Sequence, residues 1–167
     1  MVKFAFGSAS FTARHWNPGD ELNKAFMLRY DRAVKALQDQ GHTVRVKAVF
    51  WHQGESDTGN AAFPTQFMTF VNDFRRTCGN ANLPFITSVS TPDYWLWSGD
   101  VTEKESQDRD KGMGAVHAAI AKKNSNIYYV DDRGCRRSQI CGHYSSEGTL
   151  EIGTRMGKKY LEVYGSH

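Results

Sequence analysis

The sequence predicts an α/β fold: one domain over residues 1–167, built on a parallel sheet with helices on both faces. Two observations lead there. Short segments with strand patterning alternate with longer segments of helical spacing, in an order that repeats along the chain. Strands separated by helices of that length require right-handed crossovers, which make neighbouring strands parallel. The second observation is continuity. No internal repeat, linker or low-complexity tract interrupts the 167 residues, a length suited to one compact domain.

The first strand is expected at Val2–Phe6, broken by Gly7. A loop of small and polar residues runs from Ser8 to Gly19. Asp20 is placed to cap a helix whose apolar positions Leu22, Phe26, Tyr30, Ala33, Val34 and Leu37 share one face, and Gly41 stops it. Thr43–Trp51 alternates apolar and polar residues before Val49 and Phe50, as a strand entering a core does. Pro64 suits the start of the next helix, on which Phe63, Phe67, Phe70, Val71 and Phe74 form an apolar face. Leu83–Val89 reads as a strand, followed by a long loop with Tyr94, Trp95 and Trp97. A helix over about Gln107–Lys123 and a strand at Ile127–Val130 come next. The last helix runs from about Ser146 to Tyr164 with Leu150, Met156, Tyr160, Leu161 and Tyr164 inward.

Composition excludes some functions. A net charge of +3, with Arg133, Arg136 and Arg137 as the only local basic cluster, argues for neither nucleic acid nor a membrane surface as partner. No apolar run approaches the roughly 20 residues of a membrane helix. Met1–Gly7 is too short and too soon broken to be a signal peptide. The cysteines are Cys78, Cys135 and Cys141. Cys135 and Cys141 share a loop and either pair or stay reduced, so the compartment is left open.

The chemistry concentrates in Trp51-His52-Gln53-Gly54-Glu55-Ser56-Asp57, directly after a strand. Ligands of open α/β sheets bind beyond the carboxyl ends of strands. Parallel topology brings two more loops to that edge: Gly7-Ser8-Ala9-Ser10 and Gly142-His143-Tyr144-Ser145-Ser146. Glycine admits close approach of its N–H, an amide donates to an oxyanion, and a histidine beside a carboxylate serves as general base. Together with a hydroxyl nucleophile, these are the needs of acyl transfer.

The string WHQGESD, the Gly7 loop and the terminal His-Tyr-Ser-Ser-x-Gly followed by Ile152-Gly153-Thr154-Arg155 resemble the sialate O-acetylesterase-like branch of the SGNH hydrolases, which includes acetyl xylan esterases. The resemblance implies a three-layer α/β/α, flavodoxin-like fold that removes acetyl groups from carbohydrates through a serine. By that match Gly7 and Gln53 are the oxyanion donors, His143 is the base and Glu55 assists the histidine. No cofactor and no metal is implied, and the expected partner is an acetylated carbohydrate.

Two features depart from the family pattern. Its nucleophilic serine lies in a Gly-Gln-Ser-Asn-type motif after a strand upstream of the segments seen here, so the first strand of the family fold is expected to be missing. The usual aspartate three residues before the histidine is Ile140. Glu55, Asp131 or Asp132 would then hold the imidazole. A substitute nucleophile at Ser8 or Ser10 competes with an ordinary turn role for both. A non-catalytic carbohydrate-binding or adhesin relative, and a fragment completed by a serine from another chain, stay open beside the enzyme. A missing strand also predicts self-association or a partner chain that supplies it.

Other residues are weighed against plainer roles. His52 with Glu55 falls short of a zinc ligand set, and packing beside Trp51 is expected instead. His42 and His117 read as surface or core histidines. Tyr94, Trp95 and Trp97 either stack on sugar rings or form a satellite cluster. Arg133, Arg136 and Arg137 either grip a sugar carboxylate or form a solvated basic loop. Gly153 and Gly157 suit close packing of the last helix.

Overall fold

The computed structural model describes residues 1–90, 112–138 and 143–165. They fall into two compact units, Met1–Lys47 with Gly59–Leu83 and Ala48–Thr58 with Pro84–His167.

In the first unit, helix α1 spans Glu21–Gln38 and helix α2 spans Phe63–Thr77. Both are where the apolar spacing puts them, and Pro64 sits in the first turn of α2. Asp20 is the N-cap residue of α1, although its carboxylate accepts from the Asn17 backbone rather than from the helix. The face of α2 made by Phe63, Phe67, Phe70, Val71 and Phe74 is wholly buried. It meets α1 through Phe26, 5.1 Å from Phe74 and 6.2 Å from Phe70, and through Tyr30, 5.2 Å from Phe74. Phe11 lies edge-on to Phe63 and Phe70. Each buried phenylalanine contributes about 1.5–3 kcal/mol relative to exposure, so these rings are the unit's core. Buried Arg75 is satisfied by donating Nε to the Leu83 carbonyl at 3.0 Å.

The expected strand at Val2–Phe6 does not form. The segment makes no ladder with any described residue, and Val2 and Phe6 are exposed. Helix α1 holds it by other means: Arg29 donates to the Lys3 carbonyl at 3.0 Å, and the Phe4 ring lies 6.0 Å from Phe26 and from Trp16.

The second unit carries a parallel sheet in the order β1 (Val49–His52), β2 (Phe85–Ser88), β3 (Ile127–Tyr129). Thr43–Trp51 was too generous a strand. The ladder opens with Val49 opposite Phe85, and residues 43–48 have no ladder partner. Helix α3 (Met113–Lys123) ends where expected and begins after Gly112, and residues 107–111 lie outside the described ones. Helix α4 spans Ser146–Tyr164.

Every residue of β2 is buried, as befits a strand covered on both faces. Ile86 joins Val130, Cys135, Ile152 and Met156 in one core, flanked by Tyr144 and Tyr160, which seats α4 on one face. Alternation turns Val89 to the other face, where Met113 and His117 of α3 lie near it around Gly54. The inward stripe of α4 differs from expectation. Ile152 and Met156 are buried, whereas Leu150 is 71% and Leu161 62% exposed. Leu150 and Leu161 lie off the arc through Ile152 and Met156 that faces the sheet. Among the described residues no helix is long and apolar enough to cross a membrane. Cys78 and Cys135 are free thiols, and Cys141 lies outside the described residues.

Candidate active site

The second unit gathers its polar groups beyond the carboxyl ends of β1, β2 and β3. From β1 the chain passes through His52 and Gln53, whose N–H extends the ladder to the Ser88 carbonyl at 3.3 Å. Gly54 then turns the backbone at φ +149°, a conformation that L side chains rarely adopt. A Cβ there would meet Val89 Cγ2 at 2.9 Å, His117 Nε2 at 3.0 Å and Met113 Cε at 3.2 Å. The backbone can therefore lie this close to α3 only as glycine. Glu55–Asp57 follow as a single 3-10 turn.

That turn folds the motif onto itself. Gln53, buried, donates its Nε2 to the buried Asp57 carboxylate at 2.7 Å. The contact fixes which end of the amide is nitrogen. Glu55 accepts the Ser90 backbone N–H on Oε1 at 2.7 Å, and the same oxygen lies 3.6 Å from His52 Nε2. The imidazole placed against Glu55 is thus that of His52. Burial lowers the His52 pKa, opposed by the neighbouring Glu55 and Asp132 carboxylates. Its ring is also 5.5 Å from that of Tyr144.

The segment leaving β3 closes the arrangement. Asp132, fully buried, accepts on Oδ2 from the Tyr144 hydroxyl at 2.7 Å and from Arg137. Arg137 also donates to Ser90 Oγ, and its guanidinium lies over the Tyr144 ring, 4.0 Å from the centroid. Burial and the bond to Asp132 push the Tyr144 phenol well up. Arg137 and Tyr144 form an antiparallel bridge, flanked by Ser138 N–H to the His143 carbonyl at 2.7 Å and Ser145 N–H to the Arg136 carbonyl at 3.0 Å. Ser145 then caps α4, its Oγ accepting the Gly148 N–H at 3.1 Å.

The structure therefore joins the Gln53–Glu55 loop to the segment bearing His143 through His52, Ser90, Arg137 and Tyr144. His143 itself is exposed, one residue before the bridge. Gly7 is exposed in a turn of the first unit, following a segment that is not a strand. In that turn Ser8 is exposed at φ +55°, whereas Ser10 is buried with its Oγ accepting the Ala13 N–H at 2.9 Å. The His15 Nδ1 accepts the Ser10 N–H at 3.1 Å.

The arginine cluster is largely spoken for: Arg133 pairs with Asp131 and Arg137 with Asp132. His117 is the buried core histidine of the two plain readings, and burial lowers its pKa to about 4. Among the described residues no three His, Cys, Asp or Glu gather as metal ligands. Tyr94, Trp95, Trp97, Ile140 and Gly142 lie outside the described residues. Ser90, Asp57 and His117 were not assigned to the site from sequence. Asp57 lies in the motif itself and Ser90 just past a strand's carboxyl end, and both were findable on those grounds.

Residues 1–162 match the family model of carbohydrate esterases described as sialic acid-specific acetylesterase. The chain belongs to this esterase family. A solved structure of a protein from Arabidopsis thaliana is similar in fold, with a TM-score of 0.64 and 22% sequence identity. That match covers 89% of this chain and 55% of the Arabidopsis one, so the chain spans about half the length of that relative. No curated protein matches it. The fold class follows as expected: α/β with parallel strands in one sheet, consistent with the three-layer α/β/α fold of SGNH type. It is a carbohydrate acetylesterase-like domain.

Proposed function

We propose that this domain acts on acetyl esters of sugars, of sialic acid or xylan type, and carries the oxyanion and acid–base side of serine-hydrolase chemistry. One observation supports this most: Gln53, in the family motif, is buried beyond β1 with its nitrogen oriented by Asp57. This reading makes the Gln53 amide a donor to the oxyanion. A serine hydroxyl attacks the acetyl carbonyl while His143 accepts its proton. The tetrahedral intermediate expels the sugar alcohol, which takes that proton. Water then attacks the acetyl-serine, and acetate leaves. Glu55 supports the histidine.

The nucleophile is Ser8, which is exposed, or a serine supplied from outside these residues. An aryl acetate with a fluorophosphonate probe tests this directly. Labelling of Ser8 supports the first source; turnover only when a partner is added supports the second. No turnover and no label under either condition favours a carbohydrate-binding relative instead. Replacing Gln53→Ala is expected to lower turnover by about 10²–10³-fold; unchanged kinetics removes it from the oxyanion role.

A second assignment of the base has its own support. His52 lies 3.6 Å from Glu55, and its lowered pKa keeps it neutral and able to accept a proton at pH 7. Loss of a general base costs about 10²–10⁴-fold. A loss of that size in His143→Ala but not in His52→Ala selects His143, and the reverse selects His52.

A further inference from the structure

Asp132 is fully buried, an expensive place for a carboxylate unless its charge and lone pairs are answered. Two of the groups that answer it belong to opposite stems of one segment. Arg137 lies on the stem leaving β3, and Tyr144 on the stem entering α4. Both reach the same oxygen, Oδ2. The two residues are also bridged to each other through the backbone, and the guanidinium lies on the phenol ring. A further Arg137 donor goes to Ser90 Oγ, and Ser90 N–H goes to Glu55. One buried carboxylate thus ties both stems to each other and to the carboxyl end of β2.

His143 stands next to this cluster. Its carbonyl accepts the Ser138 N–H at 2.7 Å, and its successor is Tyr144. The position at which the family commonly has an aspartate to hold the histidine is Ile140 in this chain. We propose that Asp132, Arg137 and Tyr144 act as one positioning cluster for His143, holding its backbone where an aspartate of the usual pattern would hold its ring. The inference rests on the reading of His143 as the base. None of the three touches the reacting atoms in this account. Their effect reaches the chemistry through the placement of His143.

Tyr144→Phe tests it with little disturbance, because the ring under Arg137 stays and only the hydroxyl is lost. Three readouts are taken: kcat and KM on an aryl acetate, hydrogen exchange of the Ser138 and Ser145 amides, and the NMR resonances of the His143 ring. Expected are a kcat about tenfold lower at unchanged KM, exchange of both amides faster by about tenfold or more, and shifted or broadened ring resonances. Asp132→Asn is expected to do the same. The double variant should lose no more than the worse single one, because both changes break one cluster. Exchange and ring resonances identical to those of the unaltered chain in Tyr144→Phe overturn the proposal, and so do additive losses in the double variant. Absence of turnover in the unaltered chain counts against the esterase reading alone. Exchange and ring resonances then decide the cluster without it: changes in both sustain it, and no change overturns it.

Discussion

At the scale of single residues, Gly54 is held by both its backbone and its neighbours. It lies at φ +149°, and side-chain atoms of Val89, His117 and Met113 come within 3.2 Å of where a methyl carbon would sit. Gly54→Ala meets both a strained backbone and an overfilled core, and is expected to cost about 1–3 kcal/mol from overpacking alone. Urea denaturation measures this as a lower midpoint at unchanged slope. A variant of undiminished stability would show that α3 yields to the methyl group without loss. Gln53 sits beside that glycine, so rigidity at Gly54 is also rigidity in the amide that the proposed oxyanion site uses.

At the scale of elements, the entry to α4 depends on Gly148. A Cβ there would overlap the Arg136 carbonyl oxygen, which already accepts the Ser145 N–H. Gly148→Ala is expected to cost about 1–3 kcal/mol and to speed exchange of the Ser145 amide, read by NMR. Lowered stability with Ser145 exchange unchanged would place the strain elsewhere. Elements also show what sequence patterning can and cannot reveal. The face of α2 was legible because its phenylalanines recur at helical spacing and all point into one core. Val2–Phe6 looked like a strand because its residues suit one. A strand needs a neighbour's edge as well as its own side chains, and pattern alone cannot supply that neighbour. Leu150 and Leu161 misled for a related reason: helical spacing reports which residues align, while burial depends on where the sheet lies.

At the scale of the whole molecule, the buried histidine should govern part of the acid stability. His117 has a folded pKa of about 4 against an ordinary value of 6.5. Between those values the unfolded chain takes up a proton that the folded chain refuses, so stability falls as pH drops from 6.5 towards 4 and this loss levels off below 4. The full difference is on the order of 3 kcal/mol. Denaturation of His117→Leu across that window is expected to show a shallower pH slope than the unaltered chain. Equal slopes would assign the acid loss to other groups. The site was legible in the same uneven way. HQGE announced itself because polar groups clustered after a strand, where stability gives them little reason to be. The Asp132 cluster was only half legible. Asp132 and Arg137 drew notice singly, but the pairing joins residues whose approach depends on an antiparallel bridge, and no local spacing encodes it.

Counted along the chain, Arg133, Arg136 and Arg137 resemble an anion trap. Two of these guanidinium groups already face carboxylates, Asp131 and Asp132. Their field at a distance is therefore close to that of dipoles, which dies away faster than that of lone cations. Such a rim steers charged molecules weakly. Encounter with an acidic sugar should depend little on ionic strength, and discrimination between acidic and neutral glycans would have to come from close contact after arrival.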